Sequence, residues 1–154
     1  IKSIMTEILN FFSPEATLKG LKLTLIEKNN THSQPFHTDE HKLNSILINL
    51  VKNALKFTNE GSVEISYSIS DTLAEFWVAD TGIGIDHNKQ NSIFDQFVQA
   101  DSSYSSGFEG SGLGLSISKG YVELLNGKIE LESEPNIGTT FYVKIPNCLS
   151  DNLS

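Results

Sequence analysis

The sequence predicts an α/β two-layer sandwich, in which a mixed β-sheet carries its helices on one face. The main observation is the order of the longer patterns along the chain: helix, strand, helix, two strands, helix, two strands, with one short helical stretch before the last helix. A second observation is size, because 154 residues with 38% apolar content suffice to form one hydrophobic core. We therefore expect one domain over residues 1–147 and a polar C-terminal tail or linker over residues 148–154.

Four stretches carry apolar residues at helical spacing and predict helices. Ser13-Pro14 is expected to end the first of them, and Asp39 is a typical N-cap for the second. Asn126-Gly127 is a typical C-terminal end for the last helix. We expect the helices over residues 2–13, 40–57, 88–97 and 112–125.

Five shorter stretches have the apolar and β-branched composition of half-buried strands. The two-residue connection 71–72 predicts a hairpin, residues 29–35 predict a polar loop, and residues 135–138 predict a turn. The segment 99–111 is rich in Ser, Gly and acidic residues, and we expect it to form a loop or lid. We expect the strands at residues 21–26, 62–70, 73–79, 128–133 and 139–145.

The composition excludes several classes of site and partner. A formal net charge of −8 argues against nucleic acid or an anionic membrane surface as a partner. All 11 basic residues are lysines, so the chain has no arginine for bidentate phosphate binding. The one cysteine, Cys148, fits a reducing compartment such as the cytoplasm. His32, His37 and His41 lack a third zinc ligand at a suitable spacing, so we interpret them as surface residues.

The stretch Asp80-Thr-Gly-Ile-Gly84 follows an apolar strand and places a carboxylate at the end of that strand. The two glycines allow another backbone or a flat ligand to come close. A buried carboxylate can accept a hydrogen bond from the 6-amino group of adenine, whereas guanine has a carbonyl there. Phe57, at the end of the second helix, could lie against a flat base. For this stretch taken alone, an ordinary turn is the alternative.

The second predicted helix carries Asn49, Asn53 and Lys56 on one narrow sector of its surface. Asparagine side-chain oxygens can coordinate Mg²⁺, and a lysine one turn further on can reach phosphates as a point charge. A solvated helix face is the alternative, and the spacing alone does not decide between the two. Asparagine in a helix interior slightly favours a functional role, since it is a poorer helix former than Glu, Lys or Gln.

The stretch Gly110-Ser-Gly-Leu-Gly-Leu115 opens the last predicted helix, where free backbone N–H groups can bind a phosphate. It matches neither the dinucleotide-binding fingerprint nor a Walker A sequence. Close packing of a helix through small residues is the alternative interpretation.

Together these stretches resemble the ATP-binding domain of sensor histidine kinases, within the wider GHKL superfamily of gyrases, chaperones, kinases and mismatch-repair proteins. The four ordered boxes of that family resemble Asn49–Thr58, Asp80–Ile85, Ile93–Phe97 and Gly110–Leu115. Gly138-Thr-Thr140-Phe resembles its terminal box, which assigns Thr140 to the adenine site. The resemblance implies a Bergerat-type fold that binds ATP and Mg²⁺ under a lid formed by residues 98–111.

The resemblance also implies roles for individual residues. It assigns catalytic roles to Asn49 and Lys56, and it assigns Mg²⁺ to Asn53 together with Asn49. The residues that it places around the nucleotide are Asn49, Asn53, Lys56, Phe57, Asp80, Gly82, Gly84, Ile85, Phe97, Gly110, Ser111, Gly112, Leu113, Gly114 and Thr140.

The implied reaction is transfer of the γ-phosphoryl group of MgATP to a histidine on a dimerisation domain, with a response regulator receiver domain as a later partner. ATP-hydrolysing members of the superfamily have a glutamate at the position of Asn49, and an amide cannot act as a base. None of the four histidines here has the context of a phosphoacceptor. We therefore expect the acceptor upstream in a longer protein, with or without a membrane anchor, or on another chain.

Two alternatives stay open at this point. One is a GHKL serine kinase or ATPase, which shares most of the boxes. The other is a catalytically degenerate module that binds a nucleotide or a partner protein. The absence of basic residues between Lys89 and Lys119 favours the second, as does Glu109 beside the second glycine box.

Overall fold

The computed structural model describes residues 1–30, 36–94 and 114–148. The described chain forms three helices and five strands. The helices are α1 (Lys2–Leu18), α2 (Glu40–Phe57) and α3 (Gly114–Leu124). The strands are β1 (Lys22–Asn30), β2 (Ser62–Ile69), β3 (Leu73–Asp80), β4 (Lys128–Glu134) and β5 (Gly138–Pro146).

The five strands form one mixed sheet in the order β1-β2-β3-β5-β4. β1 pairs with β2 in parallel, and every other pair in the sheet is antiparallel. The predicted hairpin is confirmed, because β2 and β3 pair directly and the Ser70 N–H donates to the carbonyl of Leu73 at 2.8 Å. β1 continues to Asn30, which pairs with Ile69, so residues 29 and 30 belong to a strand and not to the predicted loop, whose residues 31–35 lie outside the described residues.

The helices pack on one face of this sheet, as the sequence predicted. α1 packs beside β1, α2 packs against β2 and β3, and α3 packs beside β4 and against α2. Alternate residues of the central strands point into this interface, as the strand period of two requires. The largest fully buried side chains of the core include Tyr67, Phe76, Met5, Leu43, Ile46, Leu47, Leu50, Leu55, Ile65, Ile93 and Ile145.

α2 begins where the sequence predicted. The side chain of Asp39 accepts a hydrogen bond from the Lys42 N–H at 3.1 Å, which is the expected N-cap contact. Burial of Leu43, Leu47 and other apolar side chains on a broad face anchors the helix to the sheet. The C-terminal end of α2, at Phe57, is thereby held beside the N-terminal end of β2 and the C-terminal end of β3.

Two helix predictions were wrong within the described residues. α1 continues past Ser13-Pro14 to Leu18, because Ala16 extends the buried face that includes Phe12. The stabilisation from this burial outweighs the loss of the backbone hydrogen bond that proline cannot donate. Residues 88–94 form consecutive turns closed by short-range hydrogen bonds, and the described residues contain no α-helix there. Ile93 nevertheless belongs to the core as predicted, with 1% of its surface exposed. Phe97 and Val98 lie outside the described residues.

Candidate nucleotide-binding site

Asp80 lies at the C-terminal end of β3, on the face of the sheet that the helices cover. Its Oδ1 accepts two backbone hydrogen bonds, from the Gly82 N–H at 2.9 Å and from the Thr139 N–H at 3.3 Å. Burial raises the pKa of Asp80 above its ordinary value, and these two hydrogen bonds oppose that rise. Both bonds end on Oδ1, and no group of the described residues donates to Oδ2. Oδ2 can therefore accept a hydrogen bond from a ligand.

The turn after Asp80 passes so close to neighbouring backbone that two of its residues must be glycine. A Cβ atom at Gly82 would come within 2.3 Å of the carbonyl oxygen of Phe57, at the end of α2. Gly84 has φ +71°, and a Cβ there would come within 2.1 Å of the carbonyl oxygen of Glu134. The Ile83 N–H donates to the Phe57 carbonyl at 3.1 Å. The turn therefore joins α2 to the β4–β5 connection.

A row of three side chains crosses the sheet at this point. Asp80 on β3 pairs with Thr139 on β5, and Thr139 pairs with Ser133 on β4. The Thr139 and Ser133 hydroxyl oxygens are 2.8 Å apart, and the Ile85 N–H donates to the Ser133 hydroxyl at 2.8 Å. Carboxylate, hydroxyl and hydroxyl thus follow one another on the helix-covered face, beside the glycine turn.

Thr140, which the resemblance assigns to the adenine site, lies on the opposite face of the sheet from Asp80. Successive strand residues point to opposite faces, and Thr139, with 5% of its surface exposed, is the one beside Asp80. Thr140 pairs with Ala79 and therefore lies on the outer face of the sheet. The apolar alternation Phe141, Val143, Ile145, read backwards along the strand, contains the signal that places Thr139 inside.

Asn49, Asn53 and Lys56 are all half-buried, so their sector of α2 is not the fully solvated face that was the alternative. The Nδ2 of Asn49 donates to the Gly114 carbonyl at 3.3 Å and to the Ser118 hydroxyl at 3.2 Å. A carbonyl oxygen can only accept, so the amide nitrogen must face α3. The Oδ1 of Asn49 consequently points away from Gly114, and Asn49 joins α2 to the first turn of α3.

Lys56 and Phe57 form a contact at the C-terminal end of α2. The Lys56 ammonium lies 5.2 Å from the centre of the Phe57 ring, a distance typical of a cation–π interaction. Partial burial lowers the pKa of Lys56, and repulsion from the nearby Lys52 ammonium lowers it further. The carbonyl of Phe57 also accepts from the N–H of Ile83 in the glycine turn. Lys56 is therefore near the end of the sheet at which Asp80 lies.

The donor atoms on α2 fit a hard cation better than zinc. Groups of three or more His, Cys, Asp or Glu side chains suited to a metal do not occur in the described parts of the chain. Two amide side chains one turn apart offer oxygen atoms, which Mg²⁺ prefers while it keeps several water or phosphate ligands. His37 and His41 are exposed, in agreement with the sequence interpretation, and His32 lies outside the described residues.

The remaining predicted nucleotide residues lie partly within and partly outside the described residues. Ile85 is 8% exposed and its N–H is held by Ser133, and Gly114 begins α3 beside Asn49. The second glycine box before Gly114 and the segment expected to form a lid lie outside the described residues. So do the following predicted site residues: Phe97, Gly110, Ser111, Gly112 and Leu113.

Sequence reasoning missed three residues that hold the site together. Thr139 and Ser133 extend the row that begins at Asp80. Gln90 donates through Nε2 to the Ile85 carbonyl at 2.8 Å and to the Ser133 carbonyl at 3.1 Å, which ties the glycine turn to β4. Strand alternation signals Thr139, but no local pattern singles out Ser133 or Gln90.

Known proteins are similar to this chain in sequence. Residues 38–148 match the model of a protein family described as histidine kinase-, DNA gyrase B-, and HSP90-like ATPase. The autoinducer 2 sensor kinase/phosphatase LuxQ of Vibrio vulnificus (strain YJ016) is 42% identical over 143 residues, covering 89% of this chain and 17% of LuxQ. The signal transduction histidine-protein kinase BarA of Escherichia coli (strain K12) is 36% identical over 158 residues, covering 99% and 17%.

Solved structures are similar over nearly the whole chain. Full-length ShkA in complex with AMPPNP has a TM-score of 0.80 and 31% identity, covering 94% of this chain and 29% of ShkA. The catalytic domain of the histidine kinase ThkA, in a nucleotide-free form, has a TM-score of 0.79 and 25% identity, covering 95% of this chain and 93% of the ThkA chain.

The chain spans only 17% of the length of LuxQ and of BarA. Among the described helices, none has the length and hydropathy of a membrane span.

Proposed function

The chain belongs to the family of histidine kinase-, DNA gyrase B- and HSP90-like ATPases, and from that premise we propose that it is the ATP-binding catalytic domain of a sensor histidine kinase. The observation that supports this best is Asp80, a half-buried carboxylate beside Thr139, Gly82 and the end of α2. Among the proteins named above, BarA and ThkA are histidine kinases and LuxQ is a sensor kinase/phosphatase, and ShkA was crystallised with AMPPNP.

Asp80 is proposed to select the base. Its Oδ2 accepts from the 6-amino group of adenine, and Thr139 lies next to it on the same face of the sheet. Guanine has a carbonyl in place of the amino group, so two acceptors would face each other without a proton between them. Phe57 and the glycines of the turn, Gly82 and Gly84, complete the space around the flat base.

The α2 side chains are proposed to act on the phosphates. Asn53, with Asn49, provides amide oxygens for Mg²⁺, which neutralises phosphate charge when bound. Lys56 contributes a positive charge from the same face of the helix. Asn49 additionally ties α2 to α3, and it thereby positions the helix in which the second glycine box ends. In phosphoryl transfer such positioning and charge neutralisation account for most of the catalysis.

Transfer to a protein histidine is proposed in preference to hydrolysis. Asn49 has no carboxylate with which to activate a water molecule, which disfavours an ATPase of the gyrase or chaperone type. The phosphoacceptor is proposed to be a histidine of a dimerisation domain, in the same protein or a partner. A response regulator receiver domain is the proposed next recipient. We propose that this domain, residues 1–147, lies in the cytoplasm.

The proposal is tested first by binding. Calorimetric titration with ATP, ADP and GTP, with and without Mg²⁺, should show binding of the adenine nucleotides, no binding of GTP, and Mg²⁺ coupled to the triphosphate. A second assay supplies a histidine-bearing dimerisation domain and radiolabelled ATP, and it should show label on that domain. Binding without phosphotransfer would favour the degenerate module, and release of free phosphate without labelling would favour an ATPase.

A further inference from the structure

The Ser133 hydroxyl has no role in the proposed function, and it contacts three polar groups. It accepts from the Ile85 N–H at 2.8 Å. It also lies 3.1 Å from the Gly138 carbonyl oxygen and 2.8 Å from the Thr139 hydroxyl oxygen. The N–H can only donate and the carbonyl can only accept, whereas the Thr139 hydroxyl can do either.

These contacts allow two arrangements of the hydroxyl protons. In the first arrangement, the Ser133 hydroxyl donates to the Gly138 carbonyl and accepts a hydrogen bond from the Thr139 hydroxyl. The Thr139 hydroxyl can then only accept a hydrogen bond from a ligand. If Ser133 donates to Thr139, the proton of Thr139 is free to point toward a ligand. A hydroxyl has one proton, so both cannot hold at once.

The nucleotide base distinguishes between these arrangements. Adenine presents a donor, its 6-amino group, next to an acceptor, its N1 nitrogen. Asp80 is a carboxylate that can only accept, which suits the amino group and leaves N1 to the next side chain in the row. That side chain is Thr139, and only the arrangement in which Ser133 donates to it lets Thr139 donate to N1, directly or through one water.

We propose that Ser133 is a positioning residue that directs the hydroxyl proton of Thr139 toward N1 of adenine, and that it thereby contributes to base selectivity. This inference rests on the proposed function, because it assumes that adenine binds beside Asp80. Linked hydroxyls also polarise one another, so donation by Ser133 strengthens the donor character of Thr139. This role is distinct from that of Asp80, which accepts a hydrogen bond from the 6-amino group.

A purely structural role for Ser133 is the competing explanation, since its hydroxyl also holds the Ile85 N–H. The two roles differ in how they affect the N1 contact. Loosening the Ile85 turn weakens every nucleotide by a similar factor. If the Thr139 hydroxyl proton is no longer oriented toward N1, the affinity falls only for nucleotides that have a nitrogen at that position.

The test compares ATP with 1-deaza-ATP, in which a carbon replaces N1, by calorimetric titration of the whole chain. We expect the wild-type protein to bind ATP about tenfold more tightly than the analogue, because the analogue leaves the Thr139 donor unpaired. In Ser133→Ala we expect this preference to fall to about threefold or less. Ser133→Thr, which keeps a hydroxyl, should restore it, and Ser70→Ala, at the other end of the sheet, should leave it unchanged.

A double-mutant cycle with Thr139→Val isolates the contact between the two hydroxyls. Once the Thr139 hydroxyl is gone, Ser133→Ala should no longer change the preference for ATP over 1-deaza-ATP, and any further loss of affinity should be the same for both nucleotides. Hydrogen exchange at the Ile85 amide, measured without nucleotide, reports separately on the structural contact. We expect exchange to accelerate in Ser133→Ala and to stay slow in Thr139→Val.

Three results would overturn the inference. Ser133→Ala could lower the affinities for ATP and 1-deaza-ATP by the same factor, which would leave only the structural role. It could leave both affinities unchanged, or the wild-type protein could bind the two nucleotides equally. Failure of the wild-type protein to bind ATP at all, or equal binding of ATP and GTP, would instead reject the proposed function itself.

Discussion

Asp80 and Thr139 lie opposite each other on β3 and β5, and the Thr139 N–H donates to Oδ1 of Asp80 at 3.3 Å. This pairing holds the carboxylate in a fixed orientation without using Oδ2. It also places the Thr139 hydroxyl beside the carboxylate, on the face of the sheet toward α2. An acceptor and a hydroxyl held side by side are the elements that a site for one edge of a purine requires.

Replacing the Asp80 carboxylate should separate binding from stability. Asp80→Asn is expected to weaken ATP about a hundredfold, because the charged acceptor for the 6-amino group is lost. Burial raises the pKa of Asp80, so the folded protein disfavours the carboxylate form. The carboxylate therefore costs stability once the pH rises above 3.8, the ordinary aspartate value, and through the higher folded-state pKa.

Denaturant unfolding across a pH series measures this effect. The Asn variant should be at least as stable as the wild-type protein near neutral pH, and the difference should vanish below pH 3.8. A variant that is less stable at neutral pH would contradict the prediction. In parallel, the wild-type affinity for ATP should fall on acidification at a pH above the ordinary aspartate value, since protonation removes the acceptor.

The two threonines of the terminal box give a matched pair. Thr139→Val removes a buried hydroxyl beside Asp80 and should weaken ATP about tenfold. Thr140→Val makes the same chemical change on the outer face, so nucleotide affinity should stay within about twofold. Calorimetric titration of both variants decides the matter. The reverse order of effects would mean that the base does not lie on the helix-covered face.

Mg²⁺ coupling should depend on one asparagine of α2 and not on another. Asn53→Ala is expected to lose most of the increase in ATP affinity that Mg²⁺ provides, because an oxygen ligand of the cation is removed. Asn44→Ala, on the same helix but nearer its N-terminus, should retain that increase. Titrations with ATP in the presence of Mg²⁺ and of a chelator measure the difference. Equal coupling in both variants would remove Asn53 from the proposed metal site.

The two lysines near the end of α2 should differ in the same way. Lys56→Met is expected to weaken ATP about tenfold and to leave adenosine unaffected, because the lost charge faces phosphates and not the base. Lys52 is exposed, and Lys52→Met should change affinity little while it raises the pKa of Lys56 by removing a repulsive charge. Parallel titrations with ATP and adenosine test this. An equal loss for adenosine in Lys56→Met would indicate a structural role.

Glycine substitutions should show where close approach matters. Gly84→Ala is expected to destabilise the fold by about 2 kcal/mol or more, because φ is +71° and the new Cβ would meet the Glu134 carbonyl. Gly120 lies in α3, where a Cβ atom would have no neighbouring heavy atom within 4 Å, so Gly120→Ala should stabilise by about 0.5–1 kcal/mol. Urea unfolding of both variants gives the two values, which should have opposite signs.

Much of the fold could be read from local patterns. The apolar spacing in residues 40–57 and the Asp39 cap predict α2, since both depend on residues within one or two turns. Asp80 and its glycines are recognisable for the same reason, as a strand end followed by a tight turn. The expected end of α1 at Pro14 was wrong, because a local preference was outweighed by burial of Ala16 against the rest of the core.

Relationships between strands and helices lie beyond such patterns. Ser133 and Gln90 belong to the site because β4 pairs with β5 and the glycine turn folds onto them, contacts that join residues 43 to 48 positions apart. Asn49 reaches Ser118, 69 positions away, for the same reason. By itself the sequence determined most of the elements, the family resemblance and Asp80, because these depend on neighbours along the chain. Only the tertiary structure decided that Thr139 and not Thr140 stands beside Asp80, and that Ser133 completes the row, because sheet register sets which side chains meet.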